Sequence, residues 1–263
     1  MKGKKIFFVF ALLVLSVFSL VGCSKKSASG EGSNTVIMGL DDTFAPMGFR
    51  DENGELVGFD IDLAKEVFAR NGYEVKFQPI DWSMKESELN LGNIDLIWNG
   101  YSITEERKEN VAFTDPYLEN KQIIITLAGS SINSKADLKG RKVAVQNGSS
   151  TLDAIYKEPA LVESFYGGEP VLFDTNHEAF MDLEACRVDA VVSDEVLARY
   201  YIQQKNPEDY KTLEEDFGSE EYGIGLRKED KDLLELINNT LNEMRKDGTF
   251  DAIYEKWFGD KDK

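Results

Sequence analysis

The chain has 263 residues, with 48 Asp or Glu against 30 Lys or Arg, so its formal net charge is −18 at pH 7. Nucleic-acid-binding proteins carry a basic face, and this acidic chain, which has no basic patch interleaved with aromatic residues, is not expected to bind nucleic acid. His177 is the single histidine, which argues against a His-based metal site or a Ser-His-Asp triad. We therefore expect no metal, no cofactor and no catalytic residues.

The chain begins with a segment typical of a secretory signal. Three of the first five residues are lysines, residues 6–21 are apolar apart from two serines, and Gly22-Cys23 follows. This order predicts a lipoprotein signal peptide over residues 1–22. The alternative is a single-span anchor, for which the apolar run falls short of the roughly 20 residues that a spanning helix needs. Either interpretation places the rest of the chain outside the cytoplasm.

Cys23 is the predicted lipid-attachment residue. Two or more acyl chains, such as palmitate, hold a protein stably at a membrane, so we expect a membrane-anchored protein at the extracellular face of the cell. After the cysteine, residues 23–34 are polar and rich in Ser and Gly, which predicts a flexible tether. With Cys23 lipidated, only Cys186 remains, so no disulfide is expected. Cys186 is expected to pack as a small hydrophobic residue.

Downstream of the tether, short β-rich runs alternate with helical patterns. This alternation predicts an α/β fold with parallel sheets and helices on both faces. The predicted strands are 35–40, 75–80, 94–98, 122–127, 142–145, 170–173, 190–192 and 222–226. The predicted helices are 60–71, 175–185, 194–203, 230–247 and 250–257.

Two of the predicted strands, 122–127 and 222–226, have no helix attached. They predict two crossing strands, so that the chain leaves one lobe, builds a second lobe and returns. Lobe one would comprise residues 35–124 plus 222–263, and lobe two residues 125–221. Two lobes joined by two strands form a hinge, and hinge closure around a ligand is a known type of domain motion. We expect a monomer.

The most informative segment follows the third predicted strand and opens a short helix. Gly100 allows the backbone to pass close to a ligand, and Thr104 is a candidate N-cap. A helix N-terminus offers free N–H groups, and Arg107 adds a guanidinium suited to bidentate carboxylate binding. These features predict a carboxylate site. The alternative is a capped surface helix in which Arg107 pairs with Glu109 or Asp115.

Two segments predicted in lobe two carry similar features. Residues 146–151 form a polar turn between a strand and a helix, where Ser149 and Ser150 offer hydroxyls and helix-start amides. Asp194 follows the strand at 190–192, at the strand end where open α/β sheets place ligands, and its carboxylate is suited to an ammonium group. The alternative in both places is ordinary N-capping of the helix that follows.

A third candidate region lies near the start of lobe one. Asp41 and Phe44 follow the first predicted strand, and Trp82 follows the second. Ligand pockets commonly combine an apolar wall with a few polar groups. Asp41 is therefore a candidate for a charged contact with the ligand, and Phe44 and Trp82 are candidates for the apolar walls of the pocket. The alternative for the two aromatic residues is plain core packing.

Four stretches together resemble one protein family. They are DDTFAPMGF at 41–49, GELVGFDIDLA at 54–64, GYSITEER at 100–107 and GTFDAIYEKWFG at 248–259. The chain resembles the bacterial extracellular solute-binding proteins of family three, the amino-acid receptors of ABC importers, over essentially the whole segment that follows the signal. The resemblance implies the type II periplasmic-binding-protein fold, which has two lobes joined by crossing strands.

The resemblance also implies site roles for the matching positions. Arg107 would bind the ligand α-carboxylate, with help from the Ser102 hydroxyl and the Gly100 backbone. Ser150 and Ser149 would approach the same carboxylate from lobe two.

The remaining roles that the resemblance implies concern the rest of the ligand. Asp194 would accept the α-ammonium, Phe44 and Trp82 would sandwich the side chain, and Asp41 would contact its polar tip. Gln146, a further candidate for ligand binding, stands where some glutamine-binding members have a lysine.

The sequence predicts a neutral or basic polar amino acid as ligand. An acidic side chain would need a second cation in the pocket, and no obvious one is found. The predicted partners are this ligand and the permease subunits of an ABC transporter. Two alternatives remain open: an enzyme on the same fold, resembling cyclohexadienyl dehydratases, and a ligand-sensing ectodomain without a transport role.

Overall fold

A computed structural model describes residues 34–259. The predicted signal peptide over residues 1–22, the predicted lipid attachment at Cys23 and nearly all of the predicted tether lie outside these residues. Within residues 34–259, no helix is long and apolar enough to cross a membrane.

The described elements follow the predicted alternation of strands and helices. The strands are β1 (Thr35–Leu40), β2 (Thr43–Phe44), β3 (Gly48–Arg50), β4 (Leu56–Val57), β5 (Glu74–Pro79), β6 (Leu96–Ser102), β7 (Ala112–Phe113), β8 (Leu118–Leu127), β9 (Val143–Gln146), β10 (Val171–Phe173), β11 (Ala190–Asp194) and β12 (Tyr210–Leu226). The α-helices are α1 (Phe59–Arg70), α2 (Lys85–Asn90), α3 (Glu105–Lys108), α4 (Ser150–Tyr156), α5 (Pro159–Val162), α6 (Asn176–Glu184), α7 (Glu195–Gln203), α8 (Lys231–Asp247) and α9 (Thr249–Phe258). Short 3₁₀ turns cover Trp82–Met84, Lys135–Leu138, Tyr166–Gly168 and Pro207–Asp209.

One large sheet runs through the described chain. Its strand order is β10-β9-β11-β8-β12-β6-β1-β5, with β7 also paired to β12, and a small sheet holds β2-β3-β4. Pairing is parallel within the β5-β1-β6 group and the β10-β9-β11 group. Every residue of β6 and of β9 is buried, which explains their apolar runs, because parallel strands are covered on both faces.

The strands β8 and β12 lie between the two parallel groups. They pair antiparallel from Tyr210 opposite Leu127 to Tyr222 opposite Leu118, with two register shifts. This arrangement agrees with the predicted two-lobed α/β fold. The prediction located only the last five residues of β12, because the acidic segment before them reads as a solvated loop. The lobe boundaries stay a prediction.

Local signals in the sequence account for several helix ends. Thr175 and Glu178 form a capping box at the start of α6, and Gly248 takes a left-handed φ of 83° between α8 and α9, a conformation that glycine adopts without strain. Phe59 at the start of α1 is fully buried and meets Phe250 and Phe258 edge-on. Burial of such a ring stabilises the fold by roughly 1.5–3 kcal/mol.

The expectation for Cys186 is wrong. The residue is exposed and its φ is +54°. It lies just past the end of α6, where the left-handed turn that closes the helix directs the side chain outward instead of into the core.

Candidate functional site

The predicted site residues come from the ends of four strands of the large sheet. Asp41 follows β1, Ser102 ends β6, Gln146 ends β9 and Asp194 ends β11. Within each parallel group the strands run in the same direction, so their carboxyl ends lie at one edge. The structure brings residues of the two predicted lobes into direct contact at these ends.

Arg107 is held from several sides by lobe one. The Thr104 hydroxyl accepts a hydrogen bond from the Arg107 amide at 3.1 Å, so Thr104 is the predicted N-cap of α3. The guanidinium is buried, lies 4.6 Å from the centre of the Tyr101 ring, and donates to the Ser102 carbonyl oxygen at 2.9 Å. Its ion-pair partner is Glu86, at 3.7 Å. The alternative of a surface arginine paired with Glu109 or Asp115 is therefore wrong.

Lys85 is a second buried cation, which the sequence did not predict. Its ammonium donates to the carbonyl oxygen of Gly148 in lobe two at 2.8 Å and to that of Trp82 at 3.1 Å. Glu86 lies 3.3 Å away. Burial, followed by the positive charge of Arg107, lowers the pKa of Lys85 to about 8. The segment around Lys85 is polar and reads as an exposed helix start, so the hydrophobic pattern carries no sign of this burial.

The serines of the two lobes meet. The hydroxyl of Ser102 lies 2.8 Å from that of Ser150, and both residues are buried. Ser149 has a different role, because its hydroxyl accepts from the Leu152 amide at 3.2 Å and donates to the Gln146 carbonyl oxygen at 2.8 Å. Ser149 is thus the N-cap of α4, as the alternative predicted. Its role as a ligand contact stays a prediction.

Asp41 and Gln146 form a second contact between the lobes. The Gln146 amide donates to Asp41 Oδ2 at 2.8 Å and to the Asp174 carbonyl oxygen at 3.0 Å. Asn176 donates to Gln146 Oε1 at 2.8 Å, which fixes the orientation of the amide. Burial raises the pKa of Asp41, although hydrogen bonds from Thr43 oppose the rise. This network places a carboxylate and a primary amide side by side.

Asp194 occupies the N-cap position of α7, but its carboxylate faces the sheet. Its Oδ1 accepts from the amides of Asn120 at 2.6 Å and Gln122 at 3.1 Å, and from the Tyr222 hydroxyl at 2.6 Å. Burial, then the negative charge of Glu220, raises its pKa well above the ordinary value. Asn120 and Gln122 were missed as site residues because β8 was interpreted only as a crossing strand. Alternating polar side chains on a buried strand are the signal that would have found them.

The aromatic candidates Phe44 and Trp82 are both buried, and they belong to different core clusters. Trp82 packs edge-on against Tyr101, with ring centres 5.9 Å apart. Gly100 has a φ of +57°, and a Cβ there would lie 2.9 Å from the Phe44 ring, so a larger residue would collide with it. Packing accounts for the burial of both rings, and their role as ligand walls stays a prediction.

Asp60 holds the Gly100 backbone in place beside the site. Its fully buried carboxylate accepts from the Gly100 amide at 2.8 Å and from the Tyr117 hydroxyl at 2.9 Å. Burial raises its pKa to about 7. In the sequence, Asp60 is predicted only as part of a helix start. Among residues 34–259 no group of three or more His, Cys, Asp or Glu residues is arranged to hold a metal ion.

Comparison with known proteins identifies the family. The family model of the bacterial extracellular solute-binding proteins, family 3, matches residues 36–260. The L-cystine-binding protein TcyJ of Escherichia coli (strain K12) is 31% identical over 255 residues, which are 94% of this chain and 93% of that protein.

Solved structures agree with this assignment. A substrate-binding protein of an ABC uptake transporter from Streptococcus pneumoniae, solved with bound histidine, has a TM-score of 0.84 and 41% identity over 86% of this chain and 93% of that one. An ancestral arginine-binding protein, solved with arginine and with glutamine, has a TM-score of 0.79 and 47% identity over 86% of this chain and 99% of that one. The chain belongs to the bacterial extracellular solute-binding proteins, family 3, and has their two-lobed α/β fold.

Proposed function

We propose that this protein captures a neutral or basic polar amino acid outside the cytoplasm and delivers it to the permease of an ABC importer. One observation supports the proposal most directly. Arg107 donates to the Ser102 carbonyl oxygen, and the Ser102 and Ser150 hydroxyls are in contact, at the edge of the large sheet where Asp194 also lies. An α-amino acid carries a carboxylate and an ammonium on one carbon. A guanidinium with hydroxyls on one side and a carboxylate on the other is complementary to that pair.

The contacts between the lobes support binding by hinge closure. Ser102 of lobe one meets Ser150 of lobe two, and Asp41 meets Gln146. Lobe one is proposed as residues 35–124 plus 222–263, and lobe two as residues 125–221. A ligand that contacts both lobes stabilises the closed arrangement, because only that arrangement offers all of its contacts.

The side-chain end of the ligand is proposed to lie near Asp41 and Gln146, between the rings of Phe44 and Trp82. A carboxylate beside a primary amide favours ligand groups that donate hydrogen bonds, which supports neutral or basic amino acids. The second buried cation, Lys85, lies beside Arg107 and contacts Gly148. It is therefore assigned to the carboxylate end of the ligand. The relatives named for cystine, histidine and arginine fit this range.

The anchoring of the protein is proposed from the sequence alone. The signal-like residues 1–22 followed by Cys23 support lipid attachment at that cysteine, with residues 23–34 as a tether to the membrane. Labelling with a radioactive fatty acid tests it: the wild-type protein should incorporate label and Cys23→Ser should not. Label in Cys23→Ser would contradict the assignment.

A thermal-shift screen of residues 24–263 against the twenty amino acids plus ornithine, citrulline and cystine tests the proposed function. A ligand at 100 times its Kd stabilises the native state by about 2.7 kcal/mol, which raises the Tm measurably. We expect a rise with one or a few neutral or basic amino acids. No rise with any of them, from folded protein freed of ligand by refolding, would contradict amino-acid binding.

Two further measurements separate this function from the alternatives. A binding protein returns its ligand unchanged after long incubation, whereas conversion of the ligand would indicate an enzyme. Deletion of the gene should abolish uptake of the same amino acid into cells, whereas unchanged uptake would indicate a sensing role instead of transport.

A further inference from the structure

Two carboxylates share the same pair of amide donors beside the predicted ammonium site. The amide nitrogen of Asn120 lies 2.6 Å from Asp194 Oδ1 and 2.7 Å from Glu220 Oε1. The amide nitrogen of Gln122 lies 3.1 Å and 2.6 Å from the same two oxygens. Two donors thus hold two carboxyl oxygens in one tight cluster, formed by β8, β11 and β12.

The arrangement lacks a cation. Within residues 34–259, neither Asp194 nor Glu220 forms an ion pair with a Lys or Arg. Asp194 is only 4% exposed, so water cannot screen the repulsion between the two carboxylates effectively. Repulsion between two carboxylates that share one site favours the binding of a proton to the pair.

The titratable groups around the cluster do not supply the missing charge. Tyr222 donates its hydroxyl to Asp194 and is neutral, because burial and the two carboxylates raise its pKa. Glu220 also lines a cleft of about 720 Å³. The other titratable residues that line this cleft are Glu221 on β12, Glu119 and Lys121 on β8, Glu195 on α7, and Glu105 and Lys108 on α3. Lys108 is paired with Glu105 at 2.8 Å, and the three further acids outnumber Lys121.

Asp194 also has a free acceptor. Its three hydrogen bonds all reach Oδ1, and within residues 34–259 its Oδ2 accepts none. A ligand ammonium that binds Oδ2 would bring to the cluster the single positive charge that a proton otherwise supplies.

We propose that Glu220 and Asp194 together hold one proton in the unliganded protein, and that the ammonium group of the amino acid replaces it, so that ligand binding releases a proton. The inference rests on the proposed function. In the exchange one carboxyl O–H bond breaks and the proton passes to the buffer, while the ammonium keeps its own hydrogens. Both carboxylates are then ionised around one cation.

Calorimetric titration tests this inference. L-arginine is the first probe and the strongest amino acid of the thermal-shift screen is the second, each in buffers with different enthalpies of ionisation. The dependence of the observed heat on the buffer gives the number of protons released. We expect up to about one proton per bound ligand at some pH between about 5 and 8.

The variant Glu220→Gln should reduce the number of protons released. Its side-chain oxygen still accepts from Asn120 and Gln122, but the second carboxyl group and its negative charge are gone, so the repulsion that helps Asp194 to hold a proton is lost. The difference between wild type and Glu220→Gln cancels any proton that the ligand itself gives up. Glu221→Gln, at an exposed neighbour on the same strand, is the matched control and should release protons as the wild type does.

The possible outcomes distinguish failure of the proton exchange from failure of amino-acid binding. Binding heat that does not vary with the buffer at any pH in this range would overturn the proton exchange and leave amino-acid binding intact. Buffer dependence that persists unchanged in Glu220→Gln would overturn the role of Glu220. The absence of binding heat with every amino acid would contradict the proposed function itself, and this inference with it.

Discussion

The ammonium of Lys85 lies 2.8 Å from the carbonyl oxygen of Gly148 and joins the two lobes beside Arg107. Arg107 approaches the same oxygen at 3.4 Å. The turn that carries Gly148 packs so closely on lobe one that a Cβ at this position would lie 2.9 Å from the Ser83 Cα. Closure at this end of the site therefore depends on the Lys85 ammonium in one lobe and on Gly148, which has no side chain, in the other.

Replacement of Lys85 by methionine should weaken ligand binding, because it removes the hydrogen bond to the Gly148 carbonyl oxygen. A hydrogen bond to a charged group contributes about 1.5–3 kcal/mol, so we expect Kd to rise at least roughly tenfold. The loss should appear mainly as faster dissociation, measured by stopped-flow, because the closed state is the one destabilised. Lys65→Met, at an exposed lysine of α1, is the control. Unchanged dissociation in Lys85→Met would contradict the role of this contact in closure.

Replacement of Gly148 by alanine should hinder closure. The residue has a φ of +67°, where an L-residue is disfavoured by roughly 1–2 kcal/mol, and its new methyl group would collide with the backbone at Ser83. Gly140→Ala is a matched control, because its φ is +71° and no described atom lies within 4 Å of the added Cβ. Both variants should lose similar stability, but only Gly148→Ala should lose affinity in a calorimetric titration. Equal affinities in the two variants would exclude this close contact from the binding step.

Replacement of Arg107 by alanine should remove the main partner of the ligand carboxylate. Loss of one member of a buried charge pair costs about 2–5 kcal/mol, so affinity should fall at least tenfold. Lys108→Ala changes the neighbouring cation, whose side chain is 49% exposed, and should bind normally. Normal binding by Arg107→Ala would show that the site assignment is wrong.

Asp60 should make stability depend on pH. Its pKa in the folded chain, about 7, is above its ordinary value of 3.8, so its contribution is fully present below about pH 3.8 and is lost as pH rises through about 7. The loss reaches at most about 1.4 kcal/mol per pH unit. In urea titrations, the free energy of unfolding of Asp60→Asn relative to wild type should therefore increase between about pH 4 and pH 7. A difference that stays constant over this range would contradict the prediction.

Much of the fold follows from sequence pattern. Strand and helix alternation predicted every strand of the two parallel groups, and the five predicted helices end within a residue or two of those in the structure. Thr104 was predicted as an N-cap and is one. β12 was predicted only in part. The acidic residues on its exposed side obscure the alternation of polar and apolar residues that is typical of a strand.

The candidate site was predictable where a residue combined a distinctive type with a strand end. Asp41 and Asp194 meet that condition, and Arg107 lies on the short helix that follows the end of β6. Lys85 and Glu220 do not, because each lies in a charged stretch that a local pattern cannot tell from a solvated surface. Their positions depend on contacts with the other lobe or with a neighbouring strand, and those contacts exist only once the chain has folded.

Recognition of the α-amino-acid group is tested by comparing an amino acid with its own derivatives. For the strongest ligand of the thermal-shift screen, affinities would be measured by calorimetry for the free amino acid, its α-amide and its N-acetyl form. We predict that both derivatives bind at least about 100-fold more weakly, because one leaves Arg107 and the other leaves Asp194 without its charged partner. Derivatives that bind as tightly as the free amino acid would contradict recognition of the α-amino-acid group by these residues.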